Sequence, residues 1–196
     1  MENFSEYVIN EKNYLKKIEI VYYLHKKSGT FFDKSVICKT EIARQFIERM
    51  NIDIDENLVI TASLLYPCKK VAVAKNFEKI KFYAKEGAEF LSELGFNDRF
   101  CRICEGVNRY SGLTPREPES DILELCDNLG GLLLNRSNRV SYGMQQAIEL
   151  LYNRNLKNVD NRYMEEFKEF IYLEEGVKLW AFKYKKYQVK QQRKKQ

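Results

Sequence analysis

One carboxylate stands out as a group that could do chemistry in this chain. Asp127 lies in the segment 122–134, which is otherwise built mostly from leucine and other apolar residues. A helix that is apolar nearly all round is normally the buried centre of a bundle, and Asp127 shares a stripe of it with Gly130. A buried acid must be paired, bind a metal or face a cavity. The alternative is that Asp127 lies at a hydrated edge of the bundle.

The cysteines offer a second kind of chemistry. Cys101 and Cys104 have the Cys-x-x-Cys spacing that zinc and redox sites use. A second such pair is missing, and the spacing falls within an amphipathic helical pattern, where cysteine is an ordinary small apolar residue. The chain has five cysteines, an odd number, and its first residues lack the layout of a secretion signal. We therefore expect free thiols rather than disulfides.

Histidine chemistry is restricted to one residue, His25. A single imidazole nearly excludes histidine-rich metal sites and leaves little room for histidine acid–base catalysis. His25 is followed by two lysines and by Ser28-Gly29, a composition typical of a helix end. We expect His25 to act as a C-terminal cap rather than as a catalyst.

The composition is that of a globular protein with a basic tail. A chain of 196 residues with 44% hydrophobic content is long and apolar enough to bury a full core. It has no apolar run of membrane-spanning length, and we expect a cytoplasmic protein. Seven basic residues and no acid fall in 183–196, so without them the net charge of +5 becomes −2 for the first 182 residues. That distribution argues against a nucleic-acid surface spread over the fold.

Helices must position these side chains. Apolar residues recur three or four positions apart through most of the chain, as at Ile42, Phe46 and Met50, whereas strand-like alternation is confined to 71–73. The three prolines, Pro67, Pro115 and Pro118, fall at helix edges or in loops. The sequence predicts an all-α bundle of about eight helices in one domain over residues 1–182, followed by the basic tail.

Three segments resemble, in order, the HD-domain phosphohydrolases and their HD-GYP subgroup. Residues 58–70, LVITASLLYPCKK, resemble the helix that carries the family's His-Asp pair. Residues 80–94, IKFYAKEGAEFLSEL, resemble the subgroup's helix that begins His-Pro, and residues 106–139 resemble its His-His-Glu-Arg turn, loop and Ala-Asp helix. The resemblance covers about residues 33–152 and implies an HD-like helical bundle there.

The departures from that family fall on its metal ligands. In the HD-GYP subgroup, histidines and aspartates bind the metal ions that hold a phosphodiester and activate water. Here the His-Asp pair reads Tyr66-Pro67, the His-Pro position begins with Tyr83, and the two histidines of the turn read Gly106-Val107. Phenols are poor ligands for hard cations at neutral pH, and proline and valine have no side-chain donor. The degenerate positions of the site are Tyr66, Pro67, Tyr83, Val107 and Asp127, of which Asp127 alone keeps the family's residue type. We therefore expect no catalytic residue, no metal and no cofactor.

Basic residues at positions that match the family suggest a different use of the pocket. Lys70 follows the altered His-Asp pair, Arg109 lies in the turn, and Arg136 and Arg139 follow the central helix. Without metal these groups could hold phosphates, arginine doing so through two hydrogen bonds. The alternative is that they close helix C-termini or form surface pairs.

A rebuilt metal site is a further alternative. Cys68 follows the altered pair, Cys104 precedes the altered turn, and Cys126 precedes Asp127. Thiolates and this carboxylate could together replace the lost ligands.

Three functions therefore compete. The missing imidazoles favour a catalytically inactive HD-GYP-like module that binds a nucleotide or a protein partner, as in bacterial-type signalling and regulation. The second is a phosphohydrolase with a rebuilt metal site. The third is an RNA-associated protein acting through the tail, whose alternating aromatics and lysines suit RNA, acidic membranes or an acidic partner. The plainer interpretation of the tail is a solvated helix end, and the sequence does not indicate an oligomeric state.

Overall fold

The computed structural model describes residues 3–32, 35–70, 77–135, 140–155 and 161–173, and within these ranges the chain is all-α, as predicted. The described elements are nine α-helices and one 3₁₀ turn, without a strand. The helices are α1 (Phe4–Asn10), α2 (Tyr14–Ser28), α3 (Ser35–Met50), α4 (Glu56–Leu65), α5 (Phe77–Glu93), α6 (Asp98–Gly106), α7 (Pro118–Leu133), α8 (Met144–Asn155) and α9 (Met164–Tyr172). The 3₁₀ turn, Arg109–Ser111, lies between α6 and α7. The predicted alternation at 71–73, Arg136, Arg139 and the basic tail lie outside the described residues.

Polar side chains set where several helices begin. Asn13, Asp55 and Asn97 precede α2, α4 and α6, and each accepts a hydrogen bond from the backbone N–H three residues later. Such caps satisfy N–H groups that the first helical turn leaves unpaired. The apolar periodicity then decides which face of each helix is buried.

Two apolar helices form the centre of the fold. Every residue of α4 from Leu58 to Leu65 is buried, and α7 is buried along most of its length. The helix α3 packs against both, while α5 packs against α6. These crossings bring the C-terminal end of α4, the first half of α3 and the middle of α7 together.

The prolines lie where the sequence predicts. Pro118 is the first residue of α7, a position whose N–H needs no intrahelical partner. Pro67 lies in the turn just after α4, and Pro115 lies in the loop before α7. In the part of the chain that the structure describes, no helix is both long and apolar enough to cross a membrane.

Candidate functional site around Asp127

Side chains from three parts of the chain meet at the carboxylate of Asp127. Lys39 comes from α3, Tyr66 ends α4, and Lys70 follows the turn after α4. The Lys39 Nζ and the Tyr66 hydroxyl both donate to Asp127 Oδ1, and Lys70 Nζ lies 3.4 Å from Oδ2. We call Lys39, Tyr66, Lys70 and Asp127 the Asp127 cluster. The acid is thus paired, one of the three roles that its burial allows.

A glycine on α7 explains how a lysine of α3 reaches this carboxylate. Gly130 lies three residues after Asp127, on the same face of α7. A Cβ atom on Gly130 would lie only 2.6 Å from Lys39 Cγ, so a larger residue would collide with the lysine stem. The stem crosses α7 over Gly130, which leaves the Lys39 side chain only 7% exposed.

The turn after α4 places Tyr66 and Lys70 around the acid. The N–H of Cys68 donates to Leu65 O at 3.1 Å and that of Lys70 to Pro67 O at 2.8 Å, which curls the chain tightly. The N–H of Phe31 donates to Cys68 O at 2.7 Å and anchors the turn to the residues after α2. Pro67 therefore has a conformational role in this turn.

Tyr83 borders the Asp127 cluster from α5. Its ring lies 5.2 Å from the Lys70 Nζ, within cation–π range, so Lys70 lies between a carboxylate and an aromatic face. The Tyr66 and Tyr83 side chains are both almost fully buried, at 1% and 4% exposure. Tyr66 and Tyr83, two of the positions predicted to be degenerate, are thus brought near Asp127.

The electrostatics of the cluster make the acid charged and the phenols neutral. Burial alone would raise the pKa of Asp127, but Lys39 and Lys70 outweigh it and hold that pKa well below its usual range. Burial, reinforced by the charge of Asp127, raises the pKa of Tyr66 and of Tyr83 well above the ordinary value for a phenol. At neutral pH Tyr66 is therefore a hydrogen-bond donor, not a phenolate ligand.

These donors do not fit a divalent metal ion. The oxygens of Asp127 already accept from two ammonium groups and a phenol, and an ammonium has no lone pair to offer. A metal ion at this carboxylate would lie beside two positive charges. Among the described residues, no three histidine, cysteine, aspartate or glutamate side chains are grouped so that they could hold a metal ion.

The cysteines lie in the core as thiols. All five are free, and Cys68, Cys101, Cys104 and Cys126 are buried. Burial raises the pKa of Cys68 to about 11 and that of Cys104 and Cys126 well above the ordinary value. A metal site rebuilt from thiolates would have to overcome this cost of deprotonation. The Cys101–Cys104 spacing falls inside α6, where both side chains pack as small apolar groups.

A second cluster of charges lies next to the first on α7. Glu124 precedes Asp127 by three positions, and its two carboxylate oxygens are 2.5 Å from Arg109 Nε and 3.0 Å from Arg116 Nη2. Arg116 also lies 2.7 Å from Asp121 and donates to the carbonyl of Gly106 at the end of α6. We call Arg109, Arg116, Arg162, Asp121 and Glu124 the arginine network, since Arg162 lies 2.8 Å from the other oxygen of Asp121.

The four residues predicted to hold phosphate are therefore in different situations. Lys70 belongs to the Asp127 cluster and Arg109 to the arginine network, so each has a carboxylate partner. Arg136 and Arg139 lie outside the described residues. A phosphate-binding role for these residues stays a prediction.

Sequence reasoning missed two residues that matter most to the geometry, Lys39 and Arg116. Lys39 lies on the apolar stripe of α3 with Val36, Ala43 and Phe46, which is the signal that could have identified it as buried. Arg116 lies in a loop and carries no such signal, although its side chain is only 12% exposed.

His25 caps a helix, but not its own. Gly29, in the left-handed conformation, ends α2, while the imidazole Nε2 of His25 lies 3.2 Å from the carbonyl of Leu64 in the last turn of α4. Because a carbonyl can only accept, Nε2 carries the proton, and Nδ1 faces the Thr30 hydroxyl at 2.8 Å. Burial lowers the pKa of His25, which is therefore neutral at neutral pH.

The chain was compared with models of protein families, with curated proteins and with solved structures. None of these three comparisons gives a match. The resemblance to the HD-GYP subgroup therefore rests on the sequence segments alone and stays a prediction.

Proposed function

We propose that this chain is a non-catalytic, HD-GYP-like module that acts by binding a partner rather than by hydrolysing a phosphodiester. The observation that carries the proposal is the Asp127 cluster. The acid that matches a family metal ligand is held by Lys39, Lys70 and the hydroxyl of Tyr66.

The chemistry of the Asp127 cluster suits a structural contact between helices. It does not suit the activation of a water molecule for hydrolysis. A hydrolytic metal site needs several inward-facing donors and an open position at which bound water loses its proton. Here Lys39 and Lys70 supply the positive charge, and neither can bind or ionise a water molecule as a metal does. The cluster joins α3, the end of α4 and α7 through one carboxylate.

A protein partner is favoured over a nucleotide within this proposal. The two described cations that could bind phosphate, Lys70 and Arg109, are 26% and 23% exposed, and both already have carboxylate partners. A nucleotide phosphate would have to compete with Asp127 and Glu124 for them. A protein partner can instead use the surface around the site without breaking these pairs.

Metal content and phosphodiesterase activity test the absence of catalysis. We expect substoichiometric metal in anaerobically purified protein, and no turnover of a generic phosphodiester with or without added manganese. Asp53, an exposed acid, provides the matched control. Manganese-dependent turnover that is lost in Asp127→Ala but kept in Asp53→Ala would overturn the proposal in favour of a rebuilt hydrolase site.

Thermal unfolding with a panel of nucleotides and cyclic dinucleotides tests the preference for a protein partner. A ligand that binds the folded state raises its stability by roughly 2.7 kcal/mol at a concentration one hundred times its Kd. We expect no such shift. A shift seen with the wild type but lost in Lys70→Met would keep the binding function and assign it to a nucleotide instead.

A further inference from the structure

The helix α2 has a face that the other described elements leave exposed. Its buried residues, Lys17, Val21 and His25, face the bundle, where α2 packs mainly against α1 and α4. On the opposite side Tyr22 is 47% and Tyr23 is 62% exposed. Large aromatic side chains with this exposure, side by side on one helix, are typical of an interaction surface.

Four residues of this face form the pattern through which two helices cross. Glu19, Tyr22, Tyr23 and Lys26 are all exposed and stand at positions i, i+3, i+4 and i+7 of α2. Such a set forms a compact patch around one point of the helix surface. A two-fold axis that lies along the line from Tyr22 to Tyr23 places Glu19 against Lys26 of a second copy, and each of the two tyrosines against the same tyrosine of that copy.

We propose that the chain forms a weak symmetric dimer in which α2 crosses α2 of a second copy through this patch. The contact would contain two tyrosine pairs at its centre and two Glu19–Lys26 ion pairs at its ends. The dimer does not depend on which ligand the Asp127 cluster region binds.

The charges of the patch favour a second copy over other partners. Neither Glu19 nor Lys26 has an ion-pair partner among the described contacts, and seven helical positions separate them by roughly 10 Å, too far to pair with each other. Lys16, which lies three positions before Glu19 on α2, is already 2.7 Å from Glu11. A nucleic acid or an anionic membrane would attract Lys26 but repel Glu19. A copy of the same patch, turned by 180°, satisfies both.

The aromatic centre of the patch is partly held in place. The Tyr22 ring lies 5.9 Å from that of Tyr23 and 5.7 Å from that of Phe32, both at steep angles. Held rings lose less side-chain entropy on binding. A crossing of two helices buries less than the roughly 1,200 Å² of a standard stable interface, so the dimer is weak and depends on concentration.

Charge reversal with sedimentation equilibrium tests this dimer. Across a concentration series from micromolar to millimolar, we expect the wild type to dimerise. Each of Glu19→Lys and Lys26→Glu should raise the dimer Kd about tenfold, because two exposed attractive pairs become two repulsive ones. An equimolar mixture of the two variants should form a heterodimer as tight as the wild type, since every pair across it is again attractive. Glu89→Lys, the same change on an exposed position of α5, should leave the Kd unchanged.

Circular dichroism of each variant shows whether α2 stays helical, so a folding defect is separable from a binding defect. A wild type that stays monomeric over the whole series would overturn the proposal. So would a dimer whose Kd both charge reversals leave unchanged, or variants that fail to form the heterodimer when mixed.

Discussion

Asp127 in the Asp127 cluster and Glu124 in the arginine network both lie on α7 among basic groups, with opposite electrostatic results. The pKa of Asp127 lies well below its usual range, because Lys39 and Lys70 outweigh the cost of burial. Burial raises the pKa of Glu124, and the neighbouring Arg109 and Arg116 only partly offset it. The Asp127 side chain is 18% exposed and that of Glu124 is 6% exposed. Counting cations around a buried acid is therefore insufficient, since two cations outweigh the cost of burial at Asp127 but do not outweigh it at Glu124.

The two clusters also differ in what the cation contributes. Arg116 uses its planar guanidinium to reach Asp121, Glu124 and the carbonyl of Gly106 at once, and so fastens the end of α6 to the start of α7. Lysine is a compact charge on a flexible stem, and Lys39 and Lys70 converge on one carboxylate. The arginine network therefore joins two helices, whereas in the Asp127 cluster two lysines balance the charge of one carboxylate.

Removing the central arginine should have the largest effect. Arg116→Met leaves Asp121 and Glu124 short of a partner in a site where both are almost fully buried. We expect a loss of about 3–5 kcal/mol in the free energy of unfolding, measured by urea denaturation, because breaking a buried pair leaves an uncompensated charge.

Arg102 provides the matched control for Arg116. It lies 3.4 Å from Glu117, but its side chain is 38% exposed. Arg102→Met should cost about 1 kcal/mol or less, since water can replace an exposed partner. Equal losses in the two variants would show that the arginine network is no more than a set of surface pairs.

Removing the charge of Asp127 should have the next largest effect. Asp127→Asn keeps the size of the side chain but leaves two ammonium groups of the cluster without their carboxylate. Because the acid is partly exposed, we expect a smaller loss, about 2–3 kcal/mol at neutral pH. The pKa of Asp127 is lowered on folding, so its contribution is present above the unfolded value of 3.8 and is lost as the pH falls below it.

The pH dependence gives a second measurement on the same variant. We measure the free energy of unfolding of the wild type and Asp127→Asn by urea denaturation over a pH series. The difference in favour of the wild type should shrink as the pH falls below about 3.8. An advantage that stays constant through that range would mean that the lysines do not hold the carboxylate in its charged form.

Removing one hydroxyl should have a smaller effect. Tyr66→Phe deletes the donor to Asp127 Oδ1 while keeping the buried ring, and hydrogen bonds to charged groups contribute about 1.5–3 kcal/mol. We expect a loss near the lower figure, because Lys39 still donates to the same oxygen. Tyr83→Phe is the control, since no hydrogen bond is described for the Tyr83 hydroxyl. If the two variants lose equal stability, the hydroxyl of Tyr66 has no special role.

The part of this site that sequence could predict is the part that departs from a local pattern. Asp127 is recognisable because an acid interrupts an apolar helix, and Tyr66-Pro67 because they end another one abruptly. The all-α fold is predictable because periodicity is a local property of each segment.

The remaining contacts depend on distant parts of the chain. Lys39 and Asp127 are 88 positions apart, and the burial of Lys39 depends on the missing side chain of Gly130, with which it shares no local pattern. Arg116 lies in a loop, where an arginine is normally solvated, and becomes buried only because the end of α6 and the start of α7 converge on it. Pairs of opposite charge at such separations cannot be assigned from one sequence.

The smallest effect, but the sharpest contrast, should be the pH-dependent part of the stability change in Glu124→Gln. The pKa of Glu124 is raised above 4.5 on folding, so its contribution is fully present below 4.5 and is lost as the pH rises through the folded value. The amide also turns a donor toward Arg116 or Arg109, but that cost does not vary with pH. His25 titrates alike in both proteins, so it cancels from the difference between their free energies of unfolding.

Urea denaturation of the wild type and Glu124→Gln measures this difference over a pH series. The wild type should become more stable relative to the variant as the pH falls from neutral toward 4.5, opposite in direction to the change at Asp127. A shrinking advantage would show that the arginines outweigh burial at Glu124 as well, and the two clusters would then differ in geometry but not in electrostatics.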